Sequence, residues 1–154
     1  MQHFRFIGRV IGKAIFEERF IKYRLAPYIY KCLACLPLLF DDLKTLDEPY
    51  FDILQQIENV QDKSSLGLNF TIREKVPFGG EKKTVELVTG GIDLHVTEHN
   101  FRDYKEAVMK YLLIGRVKSQ LKYLLCGIND VIPMASLSIF TCHELEILMC
   151  GSLG

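Results

Sequence analysis

Apolar residues recur at helical spacing from the start of the chain. Phe4, Ile7, Ile11, Ala14 and Ile15 fall on one side of a helix, which predicts an amphipathic element there. Gly8 and Gly12 share a face and offer a place for another element to approach closely. The same small-residue spacing occurs in membrane dimers, but Arg5, Arg9 and Lys13 argue against that use. Pro27 opens a second predicted helix carrying Tyr28, Ile29, Cys32 and Leu33, which Pro37 ends. Asp47 reads as an N-cap with Pro49 in the first turn, and Leu46 and Phe51 stand at staple positions. The helix behind it carries Tyr50, Ile53, Leu54, Ile57 and Val60 on one side.

After Ser64-Ser65 the period changes. Leu68, Phe70 and Ile72 alternate with polar residues, as in a strand with one buried face. Pro77-Phe78-Gly79-Gly80 is a turn signal, Val85 and Leu87 mark a second strand, Gly90-Gly91 a second turn, and Leu94 and Val96 a short third strand. Thr97 then caps a predicted long helix reaching about Cys126, with Tyr104, Val108, Tyr111, Ile114, Val117, Leu121 and Leu124 as its stripe. Gly115 lies inside it, at a cost of ~1 kcal/mol relative to Ala, so a packing or bending role is expected. Gly127 is placed at its end. Thr141-Cys142-His143-Glu144 is a capping-box pattern, with Phe140 and Leu145 as a staple, for a last helix from Cys142 to Cys150. The expected class is α+β: mostly helical, with a small antiparallel sheet inserted between helices.

The length of 154 residues suits one domain or one lobe of a larger one. The 19 basic and 19 acidic residues cancel, which lowers the expectation of a nucleic-acid partner. No apolar run approaches the ~20 residues of a membrane helix, so no membrane partner is expected. The start, Met1-Gln2-His3-Phe4-Arg5, lacks a signal-peptide layout. Five cysteines are an odd number; reduced thiols in a cytoplasmic or nuclear protein fit best.

Candidate chemistry is sparse. Cys142 stands at a helix N-terminus, where the dipole favours a thiolate, but its neighbour His143 points another way along the helix and makes a poor base for it. Cys32-Leu33-Ala34-Cys35 is a lone pair without the further ligands that zinc needs. His3, His95, His99 and His143 are scattered. No metal, no cofactor and no catalytic residue is therefore assigned. On residues alone the Tyr50–Val60 stripe is an ordinary core face.

The order of motifs changes that reading. Phe4-Arg5-Phe6-Ile7-Gly8-Arg9-Val10-Ile11-Gly12-Lys13-Ala14-Ile15-Phe16 resembles a signature of the N-terminal lobe of HECT-type ubiquitin-protein ligase domains. Val85-Glu86-Leu87 through Gly90-Gly91 to Val96-Thr97 resembles a further family segment. Arg116-Val117-Lys118-Ser119-Gln120, Ile132-Pro133, Leu137-Ser138-Ile139-Phe140, Glu144-Leu145-Glu146 and Cys150-Gly151 follow in family order. The likeness is collinear over essentially the whole chain. Cys35 stands where the family usually has Gly, and His95 where it usually has Pro.

The resemblance implies a ubiquitin transferase that accepts ubiquitin from a conjugating enzyme onto a cysteine and passes it to a protein substrate. That cysteine belongs to a C-terminal lobe whose surrounding sequence is not matched here, so this chain is expected to be inactive alone. Residues 1–46 and 113–154 correspond to the large subdomain, and 47–112 to the small one that docks the conjugating enzyme. Carried over by position, the docking groove comprises Tyr50, Ile53, Leu54, Ile57, Val60, Leu66, Tyr104 and Val108. Val60 and Val108 replace aromatics of some relatives, which implies a shallower pocket. The expected partners are a ubiquitin-conjugating enzyme, ubiquitin, the C-terminal lobe, and a substrate held by regions outside this sequence. The alternatives are a helical interaction adaptor and a cysteine enzyme using Cys142.

Overall fold

Gly8 and Gly127 bring two helices into backbone contact, and the rest of the fold is arranged around that crossing. The computed structural model describes residues 1–74 and 82–151. Helix α1 (Gln2–Phe16) buries Gly8, Ile11, Gly12 and Ile15 against α6 (Lys118–Asn129). A Cβ on Gly8 would sit 2.1 Å from the Leu124 carbonyl oxygen, and one on Gly127 2.0 Å from that of Arg5. The expected close approach at Gly8 is thus present. Gly127 does not end its helix; it lies within α6, selected by contact rather than by the left-handed backbone of a cap.

The same crossing is pinned electrostatically. Arg5 makes a two-pronged contact to Asp130 at 2.9 Å, and Arg9 Nε donates to Asp130 Oδ2 at 2.7 Å. These guanidinium hydrogen bonds hold the Asp130 carboxyl well below its ordinary value of 3.8. A depressed folded-state pKa stabilises the native state above the unfolded value and loses that contribution as pH falls through the folded one. Wild-type stability should therefore drop below about pH 5, and Asp130→Asn should flatten that part of the curve. Urea midpoints at pH 7, 4 and 3 check this; identical acid sensitivity in both proteins would refute it.

Helix α2 (Pro27–Leu33) starts at the predicted proline. It stops before Pro37, because Cys35 adopts a left-handed φ of 55°. Glycine takes that conformation without strain, so Cys35 carries a backbone cost there that a glycine would not. Helix α3 (Phe40–Leu46) was not anticipated. Its one fully buried side chain is Leu43, too little to give a period. Asp42 fixes its start: Oδ2 accepts from the Leu39 amide at 2.7 Å, and Lys31 Nζ lies 2.6 Å from Oδ1.

Helix α4 (Glu48–Glu58) begins as read, with Asp47 Oδ1 accepting from the Tyr50 amide at 3.1 Å. A single 3₁₀ turn covers Ser64–Leu66. Strands β1 (Thr71–Glu74) and β2 (Lys83–Glu86) pair antiparallel, with Ile72 opposite Val85. The turn expected at Pro77–Gly80 falls outside the described residues. The third strand is reduced to one bridge, Asn69 to His95. The Asp93 and Leu94 amides donate back to the Gly90 and Gly91 carbonyls, so this stretch is spent on turns before a ladder can form.

The long Thr97–Cys126 helix is two helices. Helix α5 (Phe101–Leu113) gives way at Ile114 to a 3₁₀ turn, Gly115–Val117, and then α6. Gly115 is the bend: a Cβ there would meet the Tyr111 ring at 2.8 Å. Asn100, not Thr97, precedes the first turn; its Oδ1 accepts from the Thr97 amide at 2.7 Å and its Nδ2 donates to the His95 carbonyl at 2.9 Å. Short α7 (Met134–Leu137) precedes α8 (Cys142–Cys150), whose capping box is formed as predicted.

Two main apolar clusters result. One joins α1, α2, α6, α7 and α8 around Ile11, Leu33, Leu124, Ile128 and Leu145. The other joins α3, α4, the sheet and α5 around Leu43, Phe51, Leu54, Phe70, Ile72 and Val108. Tyr28, Met109 and Leu113 bridge them. The architecture is mostly helical α+β with one small antiparallel sheet. Among the described residues no helix is long and apolar enough to cross a membrane.

Candidate docking site

Tyr50 from the first turn of α4 and Tyr104 from α5 line one hollow. Asp47 fixes the start of α4 and so the position of Tyr50. The Phe70 ring packs edge-on to Tyr104 with centroids 5.4 Å apart, which holds Tyr104 against the sheet. Between them opens a space of about 500 Å³ whose lining also includes Leu68, Asn69, Ile72, Arg73 and Ile92. Burial pushes the Tyr50 phenol up, and it raises that of Tyr104 further. Both phenols are therefore neutral over the physiological range.

The expected groove residues divide by depth. Tyr50, Ile57 and Val60 are half-buried. Ile53 and Leu66 are exposed, at 49% and 41%. Leu54, Tyr104 and Val108 belong to the core. Tyr104 still reaches the hollow, whereas Leu54 and Val108 back its wall. Tyr50 and Tyr104 are thus brought together, and Ile53 and Ile57 continue the Tyr50 side of α4. The sequence reading did not name Leu68 or Ile92. Leu68 carried a signal as an alternating strand position, but Ile92, 53% exposed, follows a Gly-Gly turn with no periodicity to mark it.

The hollow holds apolar and neutral polar groups around one arginine, and its lining has no thiol, imidazole or carboxylate. Elsewhere the sulfurs are dispersed. Burial raises the Cys32 thiol, the opposite of what a reactive pair requires. Cys142 packs against the first apolar cluster, while the His143 side chain is 77% exposed. Among the described residues no group of three or more His, Cys, Asp or Glu side chains is placed to hold a metal. The arrangement suits binding rather than bond-making.

The sequence model of the HECT-domain (ubiquitin-transferase) family matches residues 1–154. The E3 ubiquitin-protein ligase Nedd-4 of Drosophila melanogaster is 33% identical over 98% of this chain, a match that covers 15% of that protein. The ligase RSP5 of Emericella nidulans is 33% identical over 98% of the chain and 18% of its own length. The ligase ptr1 of Schizosaccharomyces pombe is 34% identical over 98% of the chain and 5% of its own length. The chain belongs to the HECT-domain family. It spans less than a fifth of the length of each of these relatives.

Proposed function

We propose that the hollow beside Tyr50 and Tyr104 docks a ubiquitin-conjugating enzyme and positions it for transfer of ubiquitin to a ligase cysteine. The carrying observation is the conjunction of an open hollow with apolar side chains left in solvent at Ile53, Leu66 and Ile92. A few aliphatic and aromatic anchors around a small depression are what a binding hot spot needs. Family membership supplies the partner class. On this reading residues 47–112 form the docking unit, and the second apolar cluster, which also takes in Phe40 and Leu43 of α3, is consistent with a stiff one.

In the transfer, the ligase thiolate attacks the thioester carbonyl on the charged enzyme. A new carbon–sulfur bond forms, the old one breaks, and the conjugating enzyme leaves as its thiolate. One thioester replaces another, so the bond energies nearly cancel and positioning carries the rate. A modest site of mixed apolar and polar lining suits this task, because the discharged partner must leave before the next arrives. The chain raises the local concentration of the charged partner near a catalytic lobe, and the whole protein acts by covalent acyl transfer to a substrate amine.

The test is titration of the ¹⁵N-labelled chain with a panel of ubiquitin-conjugating enzymes. At least one should shift the amides of Tyr50, Leu68 and Ile92 saturably. A panel that moves none of them at millimolar concentration contradicts the docking role and favours a helical adaptor. The chain itself should form no ubiquitin adduct sensitive to reducing agent, because Cys142 is half-buried against the first apolar cluster and the neighbouring His143 side chain is turned to solvent. A gel band that disappears both with reductant and with Cys142→Ser would reverse that conclusion.

A further inference from the structure

A separate cleft of about 630 Å³ opens on the other flank of α5, between that helix, the end of α4 and the stretch leading into α3. Helical periodicity turns Arg102, Lys105 and Met109 towards it and Tyr104 away. Its unusual group is Lys63, which is only 9% exposed. Lysines are almost never so buried unless paired with an acid. Lys63 Nζ donates to the Val60 carbonyl at 2.7 Å and lies 5.3 Å from the centre of the Phe101 ring. Among the described residues it has no carboxylate at ion-pair distance.

Two of the cleft carboxylates are held in ion pairs, and the third, Glu98, is bonded only to neutral groups and keeps its charge. Glu58 holds Lys105 at 2.7 Å, and Glu106 pairs with Lys110. Glu98 accepts from the Lys63 amide and from the Ser64 hydroxyl. Among the described residues no carboxylate closes an ion pair with Lys63 or Arg102, although Arg102 lies near enough to Glu106 to help lower the pKa of that carboxyl. An ammonium has three donors, and Val60 takes one of them. Beneath these charges the floor is apolar, made by Phe101 and Met109. Leu39 lines the rim of the cleft and Leu36 lies just beyond it, both exposed in a non-helical strap, which carries the apolar surface beyond the reach of a small ligand.

We propose that this cleft binds an extended acidic segment of another polypeptide, with an apolar side chain on the Phe101–Met109 floor and a carboxylate against Lys63 and Arg102. The proposal is independent of the conjugating-enzyme reading, and the Tyr50 amide serves as an internal control. The probe is an acetylated, amidated Leu-Phe-Asp-Asp peptide, compared with its Leu-Phe-Asn-Asn twin and with inorganic phosphate, each titrated into the ¹⁵N-labelled chain. The acidic peptide should shift the amides of Lys63, Arg102 and Met109 saturably, leave Tyr50 in place, and bind about tenfold more tightly than the twin, as expected for charge-assisted contacts. Lys63→Met should remove that difference, and Arg102→Gln, on the exposed side of α5, should reduce it about threefold and carries the test if the first variant does not fold. Equal binding of the two peptides, shifts confined to other regions, or no shift at 10 mM would overturn the proposal. So would phosphate alone reproducing the peptide's shifts, which would identify a simple anion site.

Discussion

Replacing Gly8 with Ala should cost about 3 kcal/mol of stability and lower Tm by roughly 10 °C. The methyl would meet the Leu124 carbonyl oxygen at 2.1 Å and the Gly127 Cα at 2.9 Å. Both are helix backbone, so relief requires α1 and α6 to separate. Separation would loosen the packing of Ile11, Ile15, Leu124 and Ile128 in the first cluster and weaken the Arg5–Asp130 contact that spans the same crossing. Gly90→Ala is the contrast. Gly90 has φ of 74° and no atom within 4 Å of an added Cβ, so only backbone strain of about 1 kcal/mol opposes it. Thermal melts of the two variants check the account. A Gly8→Ala protein that melts within 2 °C of wild type would show that the helices do not meet as described.

Ile92→Asp should weaken binding of a conjugating enzyme at least tenfold and leave Tm nearly unchanged. Ile92 lines the hollow yet is 53% exposed, so the folded chain loses little by the change. In a complex it would replace an exposed apolar anchor by a carboxylate that must be desolvated, a penalty of ~2 kcal/mol or more. Ile139→Asp is the matched control. Ile139 is 77% exposed, but it lies between α7 and α8, outside the hollow. Calorimetric titration of both variants should therefore separate them; equal loss or no loss in both would detach the hollow from docking.

Local signals were legible where a side chain and a backbone group satisfy each other within a few residues. Asp47 capping α4 and Thr141 with Glu144 capping α8 are such cases. Gly8 and Gly12 were legible as a contact face because nothing else explains two glycines one turn apart in a helix. The break between α5 and α6 was hidden, since Tyr111, Ile114, Val117 and Leu121 keep an apolar stripe running across it. At the break the Tyr111 ring lies over Gly115, where a Cβ would not fit, and the orientation of a ring is not written in the spacing. Helix α3 was hidden for the opposite reason, one buried leucine giving no period.

The candidate site shows the same division. Spacing puts Tyr50, Ile53, Leu54 and Ile57 on one side of α4, but it does not say how much of that side faces solvent. The structure seals Leu54 and leaves Ile53 exposed. Val108 lies one turn beyond Tyr104 on α5, and the turn between them is enough to remove it from the surface. Ile92 owes its place to the Gly90–Gly91 turn and to the Asn69–His95 bridge that folds the loop back over the hollow.

The most direct test places a photo-crosslinking residue at position 92 and, separately, at position 139, and irradiates each protein with a ubiquitin-conjugating enzyme. Docking at the hollow predicts a covalent product from position 92, reduced by the Tyr50→Ala change, and none from position 139. Products of equal yield from both positions, or none from position 92 with an enzyme that binds the chain, would contradict it.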